Sequence, residues 1–166
     1  FGYEIGAIKL HAAIDVLIEG KCIHDNYRGI WLDWQAQGTR VKGNILFNHP
    51  EEDCFIEVNH GPMIVDNNIM LSKTSILNAS QGTAFIHNLM AGNIIMRPVP
   101  NRFTPYHFPH STSVAGLMTI LTGDDRYYNN IFASNAELAN PRSGPSYTGL
   151  NAYNDYPIKT NYWCKG

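Results

Sequence analysis

Apolar residues in this chain come in short runs rich in Ile, Val and Phe, each closed within a few positions by Gly, Asn or Asp. Examples are Ile30-Trp31-Leu32-Asp33, Val41-Lys42-Gly43-Asn44-Ile45, Phe55-Ile56-Glu57 and Val65-Asp66-Asn67-Asn68-Ile69. Runs of β-branched and aromatic residues interrupted every eight to twelve positions or so by turn formers are strands, and helical periodicity is weak throughout. The strands also repeat. Gly43-Asn44-Ile45, Asn67-Asn68-Ile69, Gly92-Asn93-Ile94 and Asn129-Asn130-Ile131 share one plan, with a degenerate copy at Gly20-Lys21-Cys22. Successive steps are 23, 24, 25 and 37 residues. A period of this size predicts a stacked coil in which like residues sit above one another and the repeated Asn forms a ladder that satisfies turn backbone groups. Leu does not recur at fixed offsets, which argues against a leucine-rich repeat. The predicted fold is all-β, a right-handed parallel β-helix (solenoid) with coils of about 23–25 residues.

The long last step predicts an insertion at 97–111, where Pro98, Pro100, Pro105 and Pro109 lie among Phe103, Tyr106, His107, Phe108 and His110. Proline fixes the backbone and removes a donor, so a stiff loop projecting from the stack and walling a cleft is expected. Beyond residue 132 the pattern dissolves into Asn, Pro, Ser, Gly and Tyr. The organisation expected is therefore one β-helix segment over 1–166, with coils over 1–132 and an irregular C-terminal tail over 133–166 that wraps or caps the stack. Opening on Phe1-Gly2-Tyr3-Glu4 without a Met, the chain reads as a segment of a longer protein.

Composition narrows the function classes. The formal net charge is −2 without a Lys/Arg cluster, which disfavours nucleic acid and anionic membranes as partners. No run approaches the length needed to span a bilayer. Three cysteines without CxxC spacing suggest neither a disulfide framework nor a zinc ribbon, and Cys22 and Cys54 read as buried apolar side chains. The histidines are scattered without HExxH, so no metal is expected, and no phosphate loop or GxSxG context is present. No cofactor is expected. Asp124-Asp125 reads as a solvated turn.

Asp33 and Glu57 each precede a repeated Asn by 11 residues, so they occupy one register in successive coils. Neighbouring strands lie about 4.8 Å apart, and two carboxyls on one face would be roughly 5 Å apart, the separation used by retaining glycosidases. Like charges that close raise one pKa, which makes one carboxyl a proton donor. The same spacing also fits two solvent-facing carboxylates, or a calcium site of the kind used by polysaccharide lyases. Trp31 shares a strand face with Asp33 and could stack on a sugar ring. Lys9, His11, Asn59 and His60 flank the acidic strands and could bond sugar hydroxyls. Asn78 reads as the next coil's equivalent of Glu57.

Three stretches, Tyr3-Glu4-Ile5-Gly6-Ala7-Ile8-Lys9-Leu10-His11, Gly29-Ile30-Trp31-Leu32-Asp33-Trp34-Gln35 and Phe55-Ile56-Glu57-Val58-Asn59-His60-Gly61-Pro62, resemble the catalytic part of family 120 glycoside hydrolases. The resemblance implies a retaining exo-β-xylosidase of bacterial origin acting on xylo-oligosaccharides. It implies Asp33 as nucleophile and Glu57 as general acid/base. It also implies Glu4 as a third carboxylate at the site, and further parts of the protein beyond this segment. The rival readings are a calcium-dependent polysaccharide lyase and a non-catalytic carbohydrate-binding solenoid. The compartment and any homo-oligomer are not legible in the sequence.

Overall fold

The computed structural model describes residues 4–122 and 124–133, together with two short strands beyond them, Ser146–Thr148 and Tyr162–Trp163. Among the described residues there is no helix. The chain winds as a parallel β-solenoid, and each coil lays one strand on each of three sheets. The first sheet stacks Ile8–Leu10, Ile30–Leu32, Glu52–Glu57, Thr74–Ala79 and Asn93–Met96 in parallel. The second stacks Leu17–Glu19, Arg40–Lys42, Met63–Asp66, Thr83–Ile86 and Arg126–Tyr128. The third stacks Cys22–His24, Ile45–Phe47, Ile69–Met70, Leu89–Met90 and Ile131–Phe132.

The strands are short because each sheet is only one face of a narrow coil, and alternate side chains point inward. Ile30, Leu32, Cys54, Ile56, Ile76, Ile94 and Met96 fill the interior from the first sheet. Ile18, Val41, Val65 and Phe85 do so from the second, and Ile23, Leu46, Met70 and Met90 from the third. Each fully buried side chain of this size contributes about 1.5–3 kcal/mol. Like residues stack because the register is in step: Val41 lies between Ile18 and Val65, and Leu46 between Ile23 and Met70.

The repeated Asn is the corner between the second and third sheets. The Asn44 amide donates to Asn68 Oδ1 at 2.9 Å, Asn68 to Asn88 at 3.0 Å and Asn88 to Asn130 at 3.0 Å. The same Nδ2 groups reach the carbonyls of Ile18, Val41 and Val65, so each buried amide closes a turn as well as the ladder. The residue before each ladder Asn is left-handed: Gly43 (φ 62°), Asn67 (56°), His87 (54°) and Asn129 (51°). Gly and Asn tolerate that conformation best, which explains the Gly/Asn-Asn-Ile phrase. His87 tolerates it less well and hides one copy. The ladder therefore uses Asn88, and the expected third copy at Asn93 is a misreading: Asn93 opens a strand of the first sheet.

The expected loop at 97–111 is instead part of a longer β-hairpin, in which Val99–His107 pairs antiparallel with Val114–Ile120. It folds back over the corners of earlier coils. Gln37 Nε2 donates to the His107 carbonyl at 3.1 Å, Gln37 Oε1 accepts from the His110 N–H at 3.0 Å, and His110 Nδ1 lies 2.6 Å from Asp15 Oδ1. The expected tail at 133–166 falls mostly outside the described residues. Its two described strands add to sheet edges, Ser146–Thr148 antiparallel to Asn93–Met96 and Tyr162–Trp163 parallel to Arg126–Tyr128.

Three further expectations are corrected. Cys54 is buried, but Cys22 is exposed, because it points outward where Ile23 points in. Asp125 is fully buried rather than solvated: its carboxylate accepts from the Thr83 N–H at 3.0 Å and from Asn78 Nδ2 at 2.9 Å. Asn78 pairs with Ile56 and points inward to Asp125, so the register neighbour of Glu57 in the next coil is Ala79.

Candidate active site

The outer face of the first sheet carries a second apolar cluster, Trp31, Phe55, Leu77 and Ala79, with Ile95 and Val99 packed against it. Trp31 and Phe55 stack at 5.2 Å. This cluster is the floor on which two carboxylates stand. Trp31 pairs with Phe55 and Leu32 with Ile56. One more step in that register sets Asp33, at the end of its strand, beside Glu57, at the end of the next.

The two carboxylates have opposite surroundings. Asp33 is buried, which alone would push its pKa up, but three donors outweigh that. The Trp34 N–H donates to Oδ1 at 2.7 Å, Lys9 Nζ lies 3.0 Å from Oδ2, and His11 Nδ1 lies 3.3 Å from the same oxygen. The net effect holds Asp33 below the usual carboxylate range, as an anion. Glu57 is pushed upward, first by burial and then by the charge of Asp33. The Trp31 indole N–H, which donates to Glu57 Oε2 at 3.0 Å, offsets part of this, as do Arg97 and Arg102. One carboxylate is thus held charged and its neighbour biased to carry a proton, the division of labour required of a nucleophile and a general acid.

The chain is similar to a solved structure. It is described as the complex structure of XylC with xylose, 55% identical, with a TM-score of 0.80, and the match covers 84% of this chain and 22% of that one. No protein-family model matches, and no curated protein matches. The chain spans about a fifth of the length of XylC.

The structure brings the expected substrate-contacting residues to the site unevenly. Glu4 is exposed and pairs with Lys9, so it joins the site through the lysine that also contacts Asp33. His11 is mostly exposed, next to Asp33, and stacks near Trp34 at 6.3 Å. Trp31 is in place but buried, with Lys9 Nζ 3.9 Å from its ring centroid and Arg28 on it at 5.0 Å. It supports Glu57 and offers no open face to a sugar. Asn59 is fully buried and does not reach the cleft. Its Oδ1 accepts from the Ala36 N–H at 2.8 Å and its Nδ2 donates to the Leu32 carbonyl at 2.9 Å, so it fixes the turn that follows Asp33. His60 is half-buried beneath the hairpin, 2.6 Å from Thr104 Oγ1 and edge-on to Tyr106. It lines a cleft of about 600 Å³ with Gln37, Tyr106, His107 and Phe108.

Sequence reasoning missed Arg102. It arrives from the hairpin, 3.8 Å over the Trp34 ring and with Nη1 4.0 Å from Glu57 Oε1. No repeat spacing points to it, because an insertion has no register. The only sequence signal was the expectation that the insertion walls a cleft.

Proposed function

We propose that this chain carries the catalytic pair of a retaining exo-β-xylosidase of the family 120 type, acting on xylo-oligosaccharides. The observation that carries the reading is the opposed environment of Asp33 and Glu57 on adjacent strands. The likeness to a protein solved with xylose supports the sugar class. In the first step an Asp33 oxygen attacks the anomeric carbon, the glycosidic C–O bond breaks, and the Glu57 proton passes to the departing oxygen. In the second, water attacks the same carbon, its proton passes to Glu57, and the bond to Asp33 breaks, releasing xylose.

Trp31 holds Glu57, and Lys9 with the Trp34 N–H keeps Asp33 ionised and aimed. Asn59 fixes the backbone just past Asp33. The calcium-lyase alternative fits less well, because the oxygens a cation would need are already paired with Lys9, His11 and the Trp31 indole. The test is to assay the full-length protein on aryl β-xylosides with Asp33→Asn alongside. The variant is expected to lose turnover by about 10⁴-fold. Near wild-type turnover would overturn the assignment.

A further inference from the structure

Glu57 must do two opposed things under the proposed mechanism: hold a proton in the first step and lack one in the second. The groups facing it come from several elements. Asp33 lies on the neighbouring strand, with Lys9 and His11 on Asp33 from the coil before. The Trp31 indole lies on that same neighbouring strand. Arg97 and Arg102 act from the segment that leads into and forms the hairpin. Of these cations Arg102 is placed differently. Its guanidinium carbon lies 3.8 Å from the Trp34 ring centroid while Nη1 stays 4.0 Å from Glu57 Oε1, beyond hydrogen-bond length. Its side chain keeps 41% of its exposure, so it has room to move.

We infer that Arg102 is a positioning residue for the second half of the reaction: parked on Trp34 while Glu57 is protonated, it closes onto the Glu57 carboxylate once the proton has gone to the leaving group. This rests on the proposed function and deepens it. In the resting site the ionised Asp33 repels charge on Glu57. When Asp33 becomes an ester that repulsion ends, and Glu57 must stay ionised long enough to take a proton from water. A cation held one short movement away favours the ionised form at that stage, and its stack on Trp34 keeps it from pairing earlier. The inserted hairpin, which breaks the coil period, is then the element that completes the acid/base machinery.

The test uses the full-length protein with Glu carboxyl carbons labelled with ¹³C, the Glu57 signal being identified by its loss in Glu57→Gln. Arg102→Met is expected to raise the Glu57 titration midpoint by about 0.5–1 pH unit, and Arg102→Lys to leave it closer to wild type. With an aryl β-xyloside, Arg102→Met is expected to show a burst of released phenol near one equivalent, because deglycosylation becomes slower than glycosylation. An unchanged Glu57 midpoint in Arg102→Met overturns the inference, as does an Arg102→Lys variant that behaves as Met does. Absence of aryl xyloside cleavage by the wild type would instead overturn the xylosidase reading. The titration reports on Arg102 in either case.

Discussion

The Trp31 indole N–H donates to Glu57 Oε2 at 3.0 Å, linking one coil's strand to the carboxylate that ends the next. The same ring lies in the buried cluster with Phe55, so the core of the outer face and the acid/base residue are held by one side chain. A hydrogen bond to the charged form of a carboxyl lowers its pKa. Trp31→Phe keeps most of the apolar packing and removes the donor. Glu57 is expected to hold its proton to higher pH, moving the alkaline limb of the kcat/KM profile upward, with a loss of rate of about tenfold. The check is a pH profile of aryl xyloside hydrolysis; an unmoved alkaline limb would separate Trp31 from Glu57 function.

Lys9 acts on the other carboxylate. It lies 3.0 Å from Asp33 and helps hold that group below the usual range against its burial. Lys9→Met removes the cation, so the Asp33 pKa rises, and the acid limb of kcat/KM moves to higher pH while the alkaline limb stays in place. The sign is opposite in stability terms to a raised acid: Asp33 stabilises the fold above its unfolded pKa, and that contribution fades as pH falls through the folded value. The variant is therefore expected to lose stability at neutral pH and to match wild type in strong acid, measured by thermal unfolding across pH.

The Asn68 side chain accepts from the Asn44 backbone N–H at 3.0 Å and Nδ2 at 2.9 Å, and donates to the Val41 carbonyl at 2.9 Å and to Asn88 at 3.0 Å. Asn68→Ala leaves several of these buried groups unpaired in the middle of the stack. A loss of about 3 kcal/mol is expected from equilibrium unfolding, since each stranded group costs about 1–3 kcal/mol and some relaxation follows. A loss under about 0.5 kcal/mol would mean that the ladder is not what holds this corner.

Asp125 gives a pH signature of its own. Burial pushes its carboxyl up to about 8, against the opposing hydrogen bonds from the Thr83 N–H and Asn78. A folded pKa above the unfolded one means that the group's stabilising contribution is complete below the unfolded value and is lost as pH rises towards about 8. Asp125→Asn cannot titrate, and its amide must turn an NH₂ towards one of the two donors. The variant is therefore less stable throughout, but its deficit in Tm relative to wild type should shrink between about pH 4 and pH 8. A deficit independent of pH would show that Asp125 does not titrate in that range.

How far the sequence carried is visible in single residues. The solenoid was legible because Asn44 and Asn68 lie one coil apart and the left-handed turn before each is written as Gly43 and Asn67. The juxtaposition of Asp33 with Glu57 followed from that 24-residue coil. Legibility failed where the coil length changed. The corner from Asn68 to Asn88 takes 20 residues and places His87 where Gly or Asn was expected, which moved the third copy onto Asn93. The partners of Asp125 and the approach of Arg102 lie across the hairpin, 42 residues from Thr83 and 45 from Glu57, where no period transmits distance. Strand parity puts Trp31 on the face of Asp33, and adjacency puts Asn59 beside the acidic strand, but neither says what covers a side chain.

The central claim is that Asp33 and Glu57, one strand spacing apart, work by double displacement. The direct test is to follow hydrolysis of an aryl β-xyloside by the full-length protein with ¹H NMR, recording the anomeric proton of the first xylose released before mutarotation. β-Xylose is expected first, with the α anomer rising only later. Release of α-xylose as the first product would mean single displacement and would contradict the central claim.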